Sequence, residues 1–110
     1  MLFRSGRRVY VVGAMKGDTV TNQIWIEQDR LLFLRALMTD NVRGQMRTRD
    51  IRFERYVQHG GGWVAEEVRV IAGGIMTFHE EYSQVSINRS LDDQLFVPER
   101  WSTATHWFRP

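Results

Sequence analysis

The sequence predicts a mainly β fold, a curved antiparallel meander (a half-barrel) of about six strands. Apolar and polar residues alternate with a period of two in short runs, which is typical of strands with one buried face. Glycine-rich turns separate the runs, and no long stretch has the 3.6-residue period of an amphipathic helix. The six runs are residues 9–14, 22–27, 30–38, 45–58, 63–72 and 75–87.

The first three runs differ in the character of their two faces. The first run is apolar on both faces, which indicates a covered or central strand. In the second run, Ile24 and Ile26 share one face. Trp25 lies on the other face, between the polar residues Gln23 and Glu27. The third run is again rich in apolar residues and follows a tight turn, so these two runs predict a hairpin.

Glycines mark the turns between the last three runs. We expect hairpin turns at residues 60–62 and 73–74, because glycine tolerates the positive φ of primed turns. Residues 90–93 then predict a short capped helical turn that ends before Pro98. An aromatic C-terminal tail follows, and we expect it to pack over a mouth or an edge of the sheet. The large apolar residues of this tail are Leu95, Phe96, Trp101 and Trp107.

The alternation of the strands also predicts the core and a ligand surface. We expect one apolar face to be buried, and in a curved sheet that face lines a hollow. The predicted core residues are Ile24, Ile26, Leu32, Leu34, Ile51, Phe53, Val68, Val70, Met76 and Phe78. The candidate ligand-binding residues in the hollow are Phe53, Met76, Phe78 and Tyr82.

Length and composition exclude several classes of protein. The 110 residues argue for one domain, residues 1–110, and the chain contains no cysteine, which excludes disulfides and thiolate metal sites. No run reaches the ~18 apolar residues of a membrane span. The N-terminal arginines precede no apolar signal segment. We therefore expect a cytoplasmic protein as the chain is given, or a periplasmic one if it is a fragment of an exported protein.

The charge pattern favours a solvated sheet face over a nucleic-acid interface. Arginine supplies 14 of the 15 basic residues, yet 13 acidic residues are interspersed among them and the net charge is only +2. Asp50, Arg52 and Glu54 alternate along one strand in this way. Mixed signs on neighbouring strands are typical of cross-strand ion pairs.

Two carboxylates are weak candidates for catalysis. A hairpin that turns at residues 73–74 places positions at equal distance from the turn opposite each other, so Glu66 and Glu80 are predicted to be near neighbours. Such a pair suits acid/base chemistry, but it also suits ion pairing with arginines of the adjacent strand. The three histidines, His59, His79 and His106, lack the spacing of metal ligands. The sequence predicts no metal site and no cofactor.

Trp25 and its strand neighbours are candidates for a contact with another subunit. A tryptophan among polar residues is typical of ligand or protein interfaces. We predict that Trp25, Phe33 and Leu37 share one strand face and form the contact of a homodimer. The reason is that no long helix is available to cover a second apolar face.

Five segments resemble bacterial lipoprotein carriers of the LolA-like fold: residues 22–33, 50–56, 61–63, 80–83 and 95–102. The resemblance covers nearly the whole chain, as the C-terminal half of such a protein. It implies an incomplete β-barrel that holds acyl chains in its hollow. The family's N-terminal signal, first helix and early strands have no counterpart in this sequence.

Three functions follow as hypotheses. The first is a non-catalytic β half-barrel that self-associates, as a homodimer, and binds an apolar or lipid-like ligand in its concave face. The second is a small enzyme that uses Glu66 and Glu80 in a cone-shaped pocket. The third is an adaptor that binds a protein or a nucleic acid through its arginine-bearing face.

Overall fold

Six strands in the order of the chain form one open sheet. The computed structural model describes residues 6–87 and 90–104, and in it each strand lies antiparallel to the next. This confirms the predicted curved antiparallel meander. The strands are β1 (Val9–Val12), β2 (Gln23–Glu27), β3 (Phe33–Val42), β4 (Gln45–His59), β5 (Gly62–Ala72) and β6 (Ile75–Glu81).

The β5–β6 turn spans residues 73–74 as predicted, whereas the β3–β4 turn is shorter than the sequence pattern indicates. Val42 pairs with Gln45, so β3 and β4 are joined by two residues, Arg43 and Gly44, whose φ angles are 52° and 82°. Both central residues of a type I′ turn need positive φ, and this turn matches the twist of the strands. The β2–β3 turn, in contrast, extends beyond the prediction, because Leu31 has a φ of 57° and delays the start of β3.

The two faces of the sheet differ in chemistry. Paired residues lie on the same face and neighbours along a strand alternate, so the register assigns each side chain. We call one side the charged face, which carries Trp25, Glu27, Arg35, Asp50, Arg52, Glu54, Glu67, Arg69, His79 and Glu81. We call the other side the apolar face, which carries Tyr10, Val12, Ile24, Ile26, Phe33, Ile51, Phe53, Val57, Val68, Val70, Ile75 and Phe78.

Two bulges interrupt the alternation that the sequence predicts. Between β2 and β3, Trp25 pairs with Arg35 and Ile26 with Phe33, so Leu34 is the extra residue. Leu34 consequently packs with Trp25 on the charged face, whereas the Phe33 ring contacts Phe53 at 5.0 Å between ring centroids. The prediction that Trp25, Phe33 and Leu37 share one face is therefore wrong, because Phe33 lies on the apolar face. An extra residue in one strand shifts every later side chain to the other side.

The second bulge lies in β6. Ile71 pairs with Met76 but Val70 pairs with Phe78, which leaves Thr77 as the extra residue. Because Ile71 and Val70 are consecutive, Met76 and Phe78 lie on opposite faces. The prediction that they line one hollow is wrong for Met76, and Ile75 takes its place on the apolar face.

The core is small and lies on the charged face. Val9, Trp25 and Leu34 form a buried cluster, against which Val11, Leu32 and Tyr56 pack. Of the ten predicted core residues only Leu34 is buried, and Met76 and Phe78 are 51% and 45% exposed. The other seven are half-buried, because no second layer of the described residues covers the apolar face on which most of them lie.

The tail forms two short 3₁₀ turns. They span Asp93–Phe96 and Pro98–Thr103, and the Asp92 carboxylate accepts a hydrogen bond from the Gln94 amide at the start of the first. The backbones of the two turns lie close to each other and not to any strand, and the packing of the tail side chains over the sheet stays a prediction. Trp107 lies outside the described residues. Neither turn, nor any other described helix, is long and apolar enough to cross a membrane.

The position of Leu34 in the core makes a prediction about stability. Leu34→Ala is expected to lower the free energy of unfolding by about 2–5 kcal/mol, because it removes buried methyl groups and leaves a cavity. Urea unfolding followed by tryptophan fluorescence measures the change. Met15→Ala is the control, because Met15 is 82% exposed and its truncation is expected to have little effect. A loss below about 1 kcal/mol for Leu34→Ala would contradict the assigned core.

Candidate functional site: an arginine-lined groove and an open apolar face

A buried carboxylate anchors one end of the charged face. Glu27, the last residue of β2, is only 1% exposed. Its Oε2 accepts a hydrogen bond from Arg7 Nη1 at 2.7 Å and another from Arg30 Nη2 at 2.7 Å, while Oε1 accepts from Arg30 Nε at 2.6 Å. A buried charge is costly unless it is paired in this way. The β2–β3 turn is thereby tied to the segment that precedes β1.

A second carboxylate is shared by two arginines in the middle of the sheet. Arg35 on β3 donates two hydrogen bonds to Asp50 on β4, at 2.8 and 2.7 Å. Arg52, two residues further along β4, also donates to Asp50 Oδ2, at 3.0 Å. Burial by itself raises the pKa of Asp50, but the hydrogen bonds from Arg35 and Arg52 outweigh it and the pKa is lowered.

A third cluster continues across β4 and β5. Arg69 Nη2 donates to both carboxylate oxygens of Glu54, at 2.5 and 2.7 Å. Glu67 lies beside it, 3.5 Å from Arg69 Nε and 3.1 Å from Arg55 Nε. By alternation Arg55 belongs to the apolar face, yet its guanidinium reaches Glu67. The backbone explains this, because Arg55 has a φ of 50° and is skipped by the β4–β5 ladder.

These clusters border a groove of about 510 Å³. Its volume lies in the range of small-molecule sites, which is about 300–1,000 Å³. The Arg30 guanidinium stacks on the Trp63 ring at 4.8 Å, so a residue of the β2–β3 turn is held against β5. The lining residues are Arg7, Glu27, Arg30, Leu34, Arg52, Phe53, Glu54, Arg55, Tyr56 and Arg69.

Tyr56 connects the groove to the core. Its hydroxyl donates a short hydrogen bond to the carbonyl oxygen of Phe33, next to the bulge in β3. Burial raises the pKa of Tyr56, and the negative charge of Glu27 raises it further. The phenol therefore stays protonated and serves as a hydrogen-bond donor.

Trp25 is a buried core residue and not the exposed residue that the sequence suggests. It is 8% exposed, and its indole Nε1 donates to Gln23 Oε1 at 2.8 Å. Arg35 stacks over its ring at 4.7 Å. Of the two polar neighbours that made Trp25 look exposed, Gln23 is thus its own hydrogen-bond partner. Leu37 is 3% exposed, so neither residue offers free surface for the predicted subunit contact.

Glu66 and Glu80 both lie toward the apolar face, but the bulge in β6 separates them. Glu80 pairs with Val68, whereas the amide of Tyr82 bonds the carbonyl of Glu66. The two glutamates are thus diagonal rather than opposite. Glu80 accepts a hydrogen bond from the Tyr82 hydroxyl, and Glu66 Oε2 lies 3.5 Å from His59 Nε2. Neither lines the groove, so the geometry adds no support to acid/base catalysis by this pair.

Glu67, His79 and Glu81 form a cluster that the sequence analysis overlooked. Their ligand atoms lie within 4.8 Å of one another at the β5–β6 edge. Zinc sites use four ligands, or three and a water, and these residue types are suitable. Glu67, however, already pairs with two arginines, which compete with a cation for its oxygens. The alternation of His79 and Glu81 along β6 is the signal that indicates their common face.

Most candidate ligand residues lie on the apolar face. Phe53 and Phe78 point there, and Tyr82 continues β6 beyond its last ladder pair.

Comparison with protein-family models, curated proteins and solved structures finds no match. The resemblance to lipoprotein carriers therefore stays a prediction.

The pairing of Glu27 makes a prediction about pH. The hydrogen bond from Arg30 is the main reason that the pKa of Glu27 falls from its ordinary 4.5 to about 2. Because the folded chain holds the lower pKa, the carboxylate stabilises the fold fully above pH 4.5, and this contribution disappears as the pH falls toward about 2. Urea unfolding at a series of pH values measures this dependence.

Glu27→Gln tests the assignment. The variant is expected to be less stable than the wild type at pH 7, with a shallower loss of stability below pH 4.5. Glu99→Gln is the control, since Glu99 lies in the exposed second tail turn. Equal pH profiles for wild type and Glu27→Gln would contradict the role assigned to Glu27.

Proposed function

We propose that this chain is a non-catalytic β-sheet module that self-associates by stacking its apolar face on that of a second copy. The observation that carries the proposal is the exposure of this face from the first strand to the last. Tyr10 and Val12 on β1 are each 52% exposed, and Ile75 and Phe78 on β6 are 69% and 45% exposed. Soluble monomers rarely expose contiguous apolar surface of this extent.

A second copy suits this face in shape. Two antiparallel sheets stack about 10 Å apart, with the side chains of their inner faces interdigitating. A symmetric dimer uses the same patch on both subunits and is the commonest assembly of identical chains. The charged face, with its ion pairs, then stays in water. The polar groups His59, Glu66 and Glu80 lie near the far end of the β4–β5 hairpin, beside the apolar patch.

An amphipathic or lipid-like ligand is the other occupant that the apolar residues suit, and it is the function implied by the resemblance to lipoprotein carriers. A ligand of this kind contacts Phe53, Phe78 and Tyr82, and it competes with the second copy for the same surface. The two occupants are distinguished by mass.

Sedimentation equilibrium at micromolar concentration tests the proposal. The wild type is expected at twice the 13.0 kDa mass of one chain, with dissociation on dilution. Phe78→Lys places a charge in the stacked face and is expected to raise the dissociation constant by about a hundredfold. Burial of one phenylalanine contributes about 1.5 kcal/mol or more, and a symmetric dimer contains two.

His79→Lys is the matched control, because His79 is the next residue of β6 and lies on the charged face. It is expected to leave the dimer unchanged. A wild-type monomer at every concentration, or equal weakening by both variants, would refute the stacked dimer. A monomer that retains lipid in native mass spectrometry would replace the second copy with a ligand as the occupant.

A further inference from the structure

We propose that the groove on the charged face binds the phosphate-monoester group of a small molecule. Most of the residues that line the groove lie on the opposite side of the sheet from the proposed dimer contact. This inference therefore does not depend on self-association, and either one can fail without the other.

The first argument is a local excess of positive charge. In the part of the chain that the structure describes, six arginines of the three clusters share four ion-paired carboxylates, so positive charge exceeds negative charge within these clusters. The arginines are Arg7, Arg30, Arg35, Arg52, Arg55 and Arg69. The carboxylates are Glu27, Asp50, Glu54 and Glu67.

The second argument is that the guanidinium donors are not used up. A guanidinium has five N–H donors. Arg52 directs its Nε and Nη2 to the same oxygen of Asp50, at 3.3 and 3.0 Å. Arg52 therefore retains donors beyond those that Asp50 accepts, and it lines the groove.

The third argument is that the arginines are already held in place. Arg30 is fixed by Glu27 and by stacking on Trp63, and Arg52 is fixed by Asp50. A ligand that binds to ordered side chains loses less free energy to their immobilisation. Arginine is suited to this task, because its planar fork matches the oxygens of phosphate in a bidentate manner.

The charge of the ligand favours a phosphate monoester over a monocarboxylate. A phosphate monoester carries about −1.5 to −2 at pH 7, whereas a carboxylate carries about −1. The former therefore neutralises more of the excess positive charge. The groove volume of about 510 Å³ leaves room for a small molecule attached to the phosphate.

The backbone at Arg55 adds an independent observation. A φ of 50° is unfavourable for a residue with a long side chain, and such residues concentrate at ligand-binding sites. This guanidinium lines the groove, and within the described residues Glu67 is the one carboxylate that it pairs with, at 3.1 Å. Its side chain is 54% exposed, which leaves it accessible to a ligand.

Isothermal titration of the full chain with glycerol 3-phosphate at pH 7.5 tests the inference. Saturable binding is expected in the wild type, with weaker binding at pH 5, where the monoester has taken up a proton. Arg55→Asn is expected to weaken binding at least tenfold. Asparagine adopts left-handed φ more readily than arginine, so this variant keeps the fold. Arg49→Asn is the control, since Arg49 pairs with Asp40 outside the groove.

Three further outcomes are informative. If vesicles of phosphatidylcholine containing phosphatidic acid compete with glycerol 3-phosphate, the phosphate belongs to a lipid headgroup. If the free monoester binds and the vesicles do not, the phosphate belongs to a soluble compound. Equal weakening by Arg55→Asn and Arg49→Asn would show general charge attraction and refute the site. Absence of saturable binding, or binding of a single-stranded oligonucleotide that the monoester does not displace, would also overturn the proposal.

Discussion

The constraint on which this structure depends is that a single sheet has two faces, and each must be either covered or compatible with water. The charged face meets this condition through ion pairs and through the small cluster around Trp25 and Leu34. The apolar face meets it only in part, since its outermost side chains remain exposed on β1 and β6. Side chains alternate with a period of two, so a shift by one residue moves a strand's apolar set to the opposite face. The two bulges, at Leu34 and Thr77, are therefore the positions that decide which chemistry each face presents.

Ion pairs within this sheet provide part of the stabilisation that a second layer of secondary structure provides in larger domains. Glu27 is almost fully buried and survives as a carboxylate because Arg7 and Arg30 occupy both of its oxygens. Arginine is better suited than lysine to this arrangement, because a planar guanidinium stacks on an aromatic ring while it donates to a carboxylate. Arg30 and Arg35 both do so, over Trp63 and Trp25. The preponderance of arginine over lysine in the sequence thus has a structural use.

Much of this architecture follows from the sequence, and the errors have identifiable causes. Strand identity and order were predictable from alternation and from glycine turns, because both are local signals. Face assignments failed at Leu34 and Thr77, since adjacent apolar residues in β3 and β6 hide the change of parity that a bulge causes. Trp25 was misplaced because Gln23 and Glu27 were interpreted as solvent-facing, although Gln23 bonds the indole and Glu27 is itself buried. Polar character alone does not distinguish a solvated neighbour from a partner.

The sequence indicated some residues of the groove, but it did not predict how these residues come together. The alternation of Asp50, Arg52 and Glu54 on β4 indicated a salt-bridged face, and that face is observed. The contributions of Arg7 and Arg30 depend on how the N-terminal segment and the β2–β3 turn lie against the sheet. The alternation of apolar and polar residues does not predict where these two segments lie. The sequence does not predict the left-handed conformation of Arg55 either, because arginine rarely adopts it.

The two-residue turns have a consequence for how the chain folds. β3, β4, β5 and β6 are joined by residues 43–44, 60–61 and 73–74, and every strand pairs with its neighbour in the chain. Little loop entropy is lost when each pair closes, and contacts between residues close in sequence are associated with fast folding. With this strand order, no strand has to pair with a segment that is distant in the sequence. During synthesis each strand finds the previous one beside it as soon as it emerges, so the register is established one hairpin at a time.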